Sequence, residues 1–217
     1  MELEHIAALL EPYLGTSAHY SGSQGGLSHA QLSSISSYID VLMRWNGKIN
    51  LTSIRDPEEI VCRHFGESLF VARQTFPRAS ANADVIDIGS GAGFPGLPIK
   101  LWAQNVKLTL IESNNKKATF LREVIRLLAL GDAEVFTGRA EVFPGTGDVV
   151  TLRAVERFEA ILPIAVGCVK GEGMISLLIG EDQLKSAKAA SPSVRWRDPL
   201  PLPNSQRRIL LLGTVNQ

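Results

Sequence analysis

One stretch of this chain constrains its fold more than any other: Val85-Ile86-Asp87-Ile88-Gly89-Ser90-Gly91-Ala92-Gly93-Phe94-Pro95-Gly96. A short apolar run ends there, four glycines fall within eight residues, and a new apolar segment follows. This order predicts a strand, a tight loop and a helix. Glycine has no Cβ and accepts positive φ, so the backbone of such a loop can pass close to a nucleotide-like ligand. The glycines alone leave the identity of that ligand open.

The chain beyond this loop alternates between strand-like and helix-like segments. Strands are predicted at 84–88, 106–111, 133–136, 148–152, 174–179 and 207–213, with one more around 194–198, and helices at 96–104, 114–130 and 156–169. Such alternation is typical of an α/β fold with a doubly wound, mostly parallel sheet, here of seven strands. The last two strands lack a long crossover helix between them and are therefore predicted to form an antiparallel terminal hairpin. A ligand is expected at the carboxyl ends of the first strands.

The N-terminal third of the chain has helical spacing instead. Ser28 can cap a second helix, and Asp56-Pro57-Glu58-Glu59 combines a capping acid, a proline at the first helical position and two acids at the positive end of the helix dipole. The second of these signals predicts a helix that runs to about Gln74. Residues 77–83 join this part to the alternating part. We therefore expect an N-terminal helical extension over 1–78 and a doubly wound domain over 79–217, packed as one globular unit.

Composition narrows the class of protein. Hydrophobic residues make up 45% of the chain and charged residues 20%, which is ordinary for a soluble globular protein. The 22 basic and 22 acidic side chains balance, which argues against a general nucleic-acid coat protein but not against one local basic face. No apolar run approaches the roughly 18 residues of a membrane-spanning helix. Cys62 and Cys168 lie far apart without ligand spacing, so no metal site is expected, and a reduced cytoplasm is the simplest location.

Two overlapping glycine patterns bear on the ligand. Residues 91–96 satisfy G-x-G-x-x-G, the dinucleotide pattern, and residues 89–93 satisfy G-x-G-x-G with Asp87 two residues before it. The second pattern is typical of S-adenosylmethionine-dependent methyltransferases, in which an acid can meet the ammonium group of the methionine moiety. A pyrophosphate would instead be repelled by Asp87. A glycine-rich turn that binds no ligand is the structural alternative.

Glu112 is a second acid that suits an adenosine-containing cofactor. It closes a predicted strand 23 residues after Gly89, where a carboxylate can hold two ribose hydroxyl groups. This position does not separate NAD from S-adenosylmethionine. A dehydrogenase, however, normally adds a substrate domain with a His or Tyr–Lys catalytic set, whereas the sequence after Glu112 continues the sheet and all four histidines precede it. Hydride transfer is therefore disfavoured.

Within the methyltransferase class, the end of the fourth predicted strand indicates which kind of atom accepts the methyl group. Methyl transfer to cytosine C5 needs a cysteine nucleophile there. Methyl transfer to an exocyclic adenine nitrogen usually uses an Asn/Asp-Pro-Pro-aromatic stretch. The chain instead reads Thr151-Leu152-Arg153-Ala154-Val155. Arginine is a poor proton acceptor, which disfavours a target that needs a general base. A ring nitrogen with a free lone pair, such as guanine N7, needs none, so catalysis can consist of positioning and exclusion of water.

Several motifs around the glycine loop are more specific than the loop itself. They are Asn50-Leu51-Thr52-Ser53-Ile54-Arg55-Asp56-Pro57, Arg63-His64, Phe94-Pro95-Gly96-Leu97-Pro98-Ile99, Phe120-Leu121-Arg122, Gly138-Arg139-Ala140-Glu141 and Arg153-Ala154. In this order, from about Arg44 to Leu178, the chain resembles the bacterial small-subunit ribosomal RNA guanine-N7 methyltransferase family, also known as glucose-inhibited division protein B or RsmG. It departs from the family at Ile179 and Gly213, where the family tends to have lysine.

The resemblance implies roles for particular residues. Gly89 and Phe94 would line the cofactor pocket, Ala140-Glu141 would flank the adenine, and Arg153 would lie beside the cofactor and the target base. Arg139 is a candidate for a phosphate or carbonyl contact, so that Arg153 and Arg139 are the predicted catalytic residues. From the residues alone, an exposed helix start is the alternative for Ala140-Glu141, and a surface ion pair for Arg153. The predicted cofactor-binding set is Asp87, Gly89, Gly91, Gly93, Phe94, Glu112, Ala140, Glu141 and Arg153.

The resemblance implies a function as well: transfer of a methyl group from S-adenosylmethionine to N7 of a guanine in small-subunit (16S) ribosomal RNA. The expected partner is ribosomal RNA or the small ribosomal subunit, and we expect a monomer that acts in the cytoplasm without a metal or a membrane. Two other functions stay open. One is a small-molecule methyltransferase, in which the helical extension would act as a lid, and the other is a non-catalytic cofactor-binding protein of ribosome assembly.

Overall fold

Eight strands form one sheet in the part of the chain that the computed structural model describes, residues 1–15, 26–76, 82–155 and 157–215. The strands are β1 (Asp84–Ile88), β2 (Lys107–Glu112), β3 (Ala133–Thr137), β4 (Gly147–Arg153), β5 (Val169–Gly180), β6 (Val194–Trp196), β7 (Leu200–Pro201) and β8 (Arg208–Val215). Their order across the sheet is β3-β2-β1-β4-β5-β8-β6, with β7 beside β8. The strand order reverses between β1 and β4, as it does in a doubly wound sheet.

The first five strands are parallel and bring their carboxyl ends to one edge of the sheet. β1 lies between β2 and β4, with Asp87 opposite Leu110 on one side and Thr151 on the other. Because the glycine loop, Glu112 and Arg153 stand at the ends of β1, β2 and β4, this arrangement gathers them at the same edge. The predicted doubly wound, mostly parallel sheet is confirmed.

Helices cover both faces of the sheet. They are α1 (Leu3–Leu14), α2 (His29–Asn46), α3 (Pro57–Ile60), α4 (Glu67–Thr75), α5 (Gly96–Trp102), α6 (Asn115–Leu127), α7 (Phe158–Gly167) and α8 (Leu184–Ala190). The three helices predicted in the alternating part are α5, α6 and α7. The sequence did not predict α8, whose single run of seven residues is too short for a periodic pattern. Among the described helices, none has the length and apolar character needed to cross a membrane.

The last strand, β8, runs antiparallel to its neighbours on both sides. β8 pairs antiparallel with β5 and, on its other side, with β6 and β7. The predicted antiparallel pairing of the last two strands is therefore confirmed. β7 is an additional strand, and the sequence did not predict it because its two residues include Pro201 and show no alternation.

The N-terminal helices begin where their capping residues predict. Ser28 Oγ accepts a hydrogen bond from the amide of Gln31, and the Gln31 side chain accepts one from the amide of Ser28, which closes a capping box at the start of α2. Asp56 accepts a hydrogen bond of 2.8 Å from the amide of Glu59, and Pro57 is the first residue of α3. Both helix starts are therefore set by local sequence.

A π-helical segment, Val61–Gly66, joins α3 to α4. The sequence predicts one regular helix from Asp56 to about Gln74, so the wider turn corrects that prediction. The ring of Tyr13 lies about 2.5 Å from where a Cβ of residue 66 would stand, so α1 can pack this closely only against glycine. π-helical turns within helices are frequent at functional sites, and this one carries Arg63 and His64.

Tyr38 connects the helical extension to the glycine loop through a hydrogen bond and ring packing. This residue of α2 is fully buried, and its hydroxyl donates a hydrogen bond to the carbonyl of Ala92. Its ring stacks on Phe94 with centroids 5.4 Å apart and meets Phe65 edge to face at 5.1 Å. One hydrophobic core runs from α1, α2 and α4 into the face of the sheet that they cover. The predicted boundary between residues 78 and 79 lies outside the described residues and stays a prediction.

We expect Tyr38→Phe to lower the free energy of unfolding by about 1 kcal/mol, because the buried Ala92 carbonyl loses its donor while the ring packing is kept. Urea unfolding measures this change. Ser33→Ala, at an exposed position of the same helix, is the matched control and should leave stability nearly unchanged. A Tyr38→Phe variant as stable as the wild type would show that the hydroxyl does not hold the loop.

Candidate active site

A cavity of about 950 Å³ opens at the edge where β1, β2 and β4 end. Both parts of the chain line it. The sheet part contributes Gly89, Gly91, Phe94, Glu112, Arg139, Ala140, Glu141 and Arg153, and the extension contributes Thr52, Arg63, His64 and Glu67. Two of the predicted site residues, Asp87 and Gly93, do not line the cavity. The tertiary structure thus brings most of the predicted residues to one place.

The glycine loop turns sharply out of β1 because three of its residues adopt positive φ. The φ angles are 70° at Gly89, 55° at Gly91 and 88° at Gly93, a region that favours glycine. A Cβ at residue 89 would also lie 2.8 Å from Cγ1 of Val155, so the close approach of these two segments requires glycine there. The amides of Gly89 and Ser90 donate hydrogen bonds to the carbonyl of Ile111 at 2.9 and 3.1 Å, which fixes the loop against the end of β2.

Asp87 lies beneath the loop and outside the cavity. Its carboxylate is fully buried and accepts hydrogen bonds from Thr151 Oγ1 at 2.7 Å and from the amide of Gly96 at 3.3 Å. Burial raises the pKa of Asp87 to about 6, although these hydrogen bonds act in the opposite direction. Gly93 also packs inward, against Tyr38. The direct contact of Asp87 with a cofactor ammonium group stays a prediction; what the geometry provides is a carboxylate that fixes the loop.

Glu112 stands at the end of β2 and lines the cavity. Its Oε2 accepts a hydrogen bond from the amide of Gly91 at 2.9 Å, and its Oε1 accepts one from the amide of Asn114 at 2.7 Å. These bonds fix the carboxylate, while each oxygen keeps a lone pair for another donor. Two adjacent hydroxyl groups, such as those of a ribose, are a suitable partner.

A single turn of 3-10 helix, Ala140–Val142, contributes another wall. Ala140 is buried, whereas Arg139 and Glu141 are exposed. Phe94 also lines the cavity, is only 6% exposed and stacks on the ring of His64 with centroids 4.7 Å apart. The individual roles of these residues toward a cofactor stay predictions.

Arg153 is held at the cavity by the helical extension. Its Nη2 donates hydrogen bonds to the carbonyl of Arg63 at 2.6 Å and to Glu67 Oε2 at 3.0 Å, and lies 3.3 Å from Nδ1 of His64. Its Nη1 lies 3.4 Å from Oγ of Ser68. The side chain is 12% exposed, so this is a buried cluster and not the surface ion pair that the sequence left open.

One charged residue of this cluster, Glu67, was not singled out from the sequence. Glu67, the first residue of α4, is 1% exposed and pairs with both Arg153 and Arg208, which comes from β8. One signal could have indicated Glu67: an acid within the largely apolar run Phe65–Val71 must find a partner when it is buried. Its partners lie far along the chain, so no local pattern identifies them.

His64 is a neutral histidine within the same cluster. Its Nε2 lies 2.8 Å from Oγ1 of Thr52, and its Nδ1 faces Nη2 of Arg153. Burial, followed by the charges of Arg153, Arg63 and Arg208, lowers the pKa of His64 to about 3. A neutral imidazole, with Nδ1 accepting from the guanidinium, is the state that these neighbours favour.

Comparison with known proteins identifies the family. The family model GidB, described as rRNA small subunit methyltransferase G, matches residues 31–198. The chain belongs to this family. Ribosomal RNA small subunit methyltransferase G of Stenotrophomonas maltophilia (strain K279a) is 39% identical over 157 residues, which cover 71% of this chain and 72% of that protein. The protein of the same name from Chloroflexus aggregans (strain MD-66 / DSM 9485) is 36% identical over 203 residues, which cover 87% and 83%.

Solved structures share the fold. P. horikoshii TYW2 in complex with MeSAdo is 20% identical with a TM-score of 0.59, over 71% of this chain and 63% of that chain. Ribosomal protein L11 methylase of Lactobacillus delbrueckii subsp. bulgaricus is 17% identical with a TM-score of 0.58, over 70% and 80%. The predicted methyltransferase type of the sheet is confirmed. Family membership also confirms the predicted class of enzyme, with S-adenosylmethionine as cofactor and ribosomal RNA as the kind of substrate for which the family is named.

The residues at the cavity fit S-adenosylmethionine. A Cβ added at Gly91 would meet only the carbonyl of Gly89, at 3.7 Å, so the space beside this part of the loop is open to a ligand. Glu112 offers two fixed oxygens for the ribose, and Ala140 is a small apolar residue on a neighbouring wall. The donor set and the open loop are therefore compatible with the adenosine part of the cofactor.

Glu112→Gln should weaken the binding of S-adenosylmethionine by about tenfold or more, because hydrogen bonds to a charged acceptor contribute about 1.5–3 kcal/mol. Titration calorimetry measures the dissociation constant. Glu134→Gln, an exposed change on β3 away from the cavity, is the control and should bind the cofactor like the wild type. Equal affinities of the Glu112→Gln variant and the wild type would remove Glu112 from the cofactor site.

The stability of the protein should depend on pH through His64. The folded protein holds the pKa of His64 at about 3, whereas the unfolded chain has a value near 6.5. Between these values only the unfolded chain binds the proton, so the free energy of unfolding falls as the pH is lowered from about 6.5 towards 3. His64→Gln should lack this part of the fall.

Urea unfolding of both proteins at about pH 7.5 and about pH 5 measures the difference. Asp87 acts in the opposite direction, because its pKa is raised to about 6 and its contribution to stability is lost as the pH rises through that value. It is present in both proteins, so its effect cancels in the comparison. The same change in stability in both proteins would contradict the assignment to His64.

Proposed function

We propose that this protein transfers the methyl group of S-adenosylmethionine to N7 of a guanine in small-subunit (16S) ribosomal RNA. One observation carries the choice of acceptor: the Arg153 guanidinium is held at the cavity in a cluster whose described members include no free proton acceptor. Family membership supports the RNA substrate. Action as a monomer, in the cytoplasm and without a metal stays a prediction.

The cofactor side of the cavity serves binding and orientation. When bound, S-adenosylmethionine supplies an electrophilic methyl group on a sulfonium centre. Glu112 would hold the ribose hydroxyl groups, the backbone at Gly89 and Gly91 would pass beside the cofactor, and Ala140-Glu141 would flank the adenine. Asp87 supports this arrangement from below, since its hydrogen bond to the Gly96 amide fixes the end of the loop.

In the cluster around Arg153, none of the described residues is suited to remove a proton. Glu67 is shared by two arginines, and His64 has a pKa of about 3, so neither is a good proton acceptor near neutral pH. Glu112 belongs to the cofactor side, where its two oxygens accept backbone hydrogen bonds and would hold the ribose. Guanine N7 has a lone pair in the plane of the ring and needs no deprotonation before attack, so these surroundings favour it over an exocyclic amine.

Arg153 would orient the acceptor base. A guanidinium pairs readily with the electron-rich edge of guanine or with a phosphate, and here its direction is set by contacts to Arg63 and Glu67. Arg139 is exposed at the cavity, where it could meet a phosphate of the RNA. Positioning of the base and exclusion of water then account for catalysis.

The test is to incubate the purified protein with labelled S-adenosylmethionine and small ribosomal subunits from cells that lack the enzyme. We expect label in 16S ribosomal RNA at one guanine, mapped by strand cleavage specific for N7-methylguanine. Arg153→Met should lower the rate of transfer by about a hundredfold, because a misplaced acceptor reacts far more slowly.

Arg195→Met, an exposed change on β6, is the matched control and should transfer methyl groups at the wild-type rate. Label on a pyrimidine would overturn the choice of acceptor, and label only on metabolites would favour a small-molecule methyltransferase. Cofactor binding without any transfer would favour a non-catalytic protein of ribosome assembly.

A further inference from the structure

The carboxylate of Glu67 lies where three parts of the chain meet. α4 supplies Glu67, the end of β4 supplies Arg153, and the start of β8 supplies Arg208. Glu67 is 1% exposed, and the side chains of Arg153 and Arg208 are 12% and 27% exposed. All three residues line the cavity. Burying a charged carboxylate costs desolvation energy, so its presence here calls for a structural or functional explanation.

The charges of this cluster are unequal. Burial raises the pKa of Glu67, and Arg153 and Arg208 oppose that effect, so the two arginines favour the ionised carboxylate. Two guanidinium groups against one carboxylate leave one positive charge in excess when His64 is neutral. Because both arginines line the cavity, this excess is available to an electron-rich base edge or a phosphate that enters it.

The contact with Glu67 sets the direction of the Arg153 side chain. Arginine is long and has many rotamers, and holding it in one of them costs conformational entropy. Glu67 Oε2 accepts a hydrogen bond from Nη2 of Arg153 at 3.0 Å. Nη2 also contacts the carbonyl of Arg63 and the ring of His64, and these two partners are neutral whereas Glu67 is charged. Charge-assisted hydrogen bonds are roughly twice as strong as neutral ones, so Glu67 contributes most to this orientation.

We propose that Glu67 is a positioning residue for methyl transfer: it orients the Arg153 guanidinium toward the acceptor base and itself touches neither the base nor the cofactor. The inference rests on the proposed function, since it takes Arg153 as the residue that orients the base. Arg208 holds the second oxygen of Glu67 and so restrains the carboxylate from the side of β8. Loss of Glu67 should therefore reduce turnover while cofactor affinity, which depends on Glu112 and the loop, is kept.

A double-mutant cycle separates this role from a general effect on folding. Turnover is measured for the wild type, Glu67→Gln, Arg153→Met and the double variant, with small ribosomal subunits as substrate. We expect Glu67→Gln to lower kcat by about tenfold to a hundredfold and to change the dissociation constant of S-adenosylmethionine by less than about threefold. If Glu67 acts through Arg153, the double variant should be no slower than Arg153→Met alone.

Glu59→Gln is the matched control, because it removes the carboxylate of an exposed ion pair with Arg63 in the same part of the chain and should leave kcat unchanged. Glu67→Asp keeps the charge but shortens the reach, so it tests the same idea if Glu67→Gln fails to fold; it should show an intermediate loss of kcat with unchanged cofactor affinity.

Three outcomes would contradict the proposal, and they separate the role of Glu67 from the proposed function. Effects of Glu67→Gln and Arg153→Met that multiply in the double variant, or Glu67→Asp turnover equal to the wild type, would overturn the role of Glu67 and leave the proposed function intact. A wild-type protein that binds S-adenosylmethionine but methylates no RNA would overturn the proposed function, and the role of Glu67 with it.

Discussion

The hydrogen bonds of one buried carboxylate underlie the whole site. Asp87 joins β1 to β4 through Thr151 and reaches the start of α5 through the amide of Gly96. A Cβ at residue 96 would lie 2.8 Å from Oδ2 of Asp87, so this approach is possible only with glycine. Asp87 lies before the loop and Gly96 at its end, so this hydrogen bond fixes the two ends relative to each other. The residues between them, including Gly89 and Gly91, are thereby held over the ends of the strands.

The glycine loop in turn provides the surface against which the helical extension packs. Tyr38 donates to the carbonyl of Ala92 and stacks on Phe94, so the extension packs directly against the loop. A shared hydrophobic core joins this part of the protein to one face of the sheet. The π-helical segment then places the backbone of Arg63 and the ring of His64 against Arg153 at the end of β4. One half of the cavity thus comes from the sheet and the other from the extension.

Much of this architecture could be predicted from local patterns. The glycine loop, the caps at Ser28 and Asp56 and the acid at Glu112 are each encoded within a few residues, and the structure has them where the sequence placed them. The π-helical turn could not be predicted, because no local pattern distinguishes it from a regular helix, and the close contact of its Gly66 with Tyr13 exists only in the folded protein. The burial of Asp87 beneath the loop was equally hidden. An acid at a strand end can face a ligand or the interior, and only the partners on neighbouring segments decide between the two.

The sequence by itself determined the fold class, the glycine loop at the end of β1 and the family to which the chain belongs, since these depend on short motifs and on the order of strands and helices. Only the tertiary structure decided what surrounds Arg153. Its ion-pair partner Glu67, and Arg208, which pairs with the same carboxylate, come from segments far apart along the chain. The physical reason is that a buried charge requires an opposite charge nearby in space, and neighbours in space across a sheet leave no periodic signal along the chain.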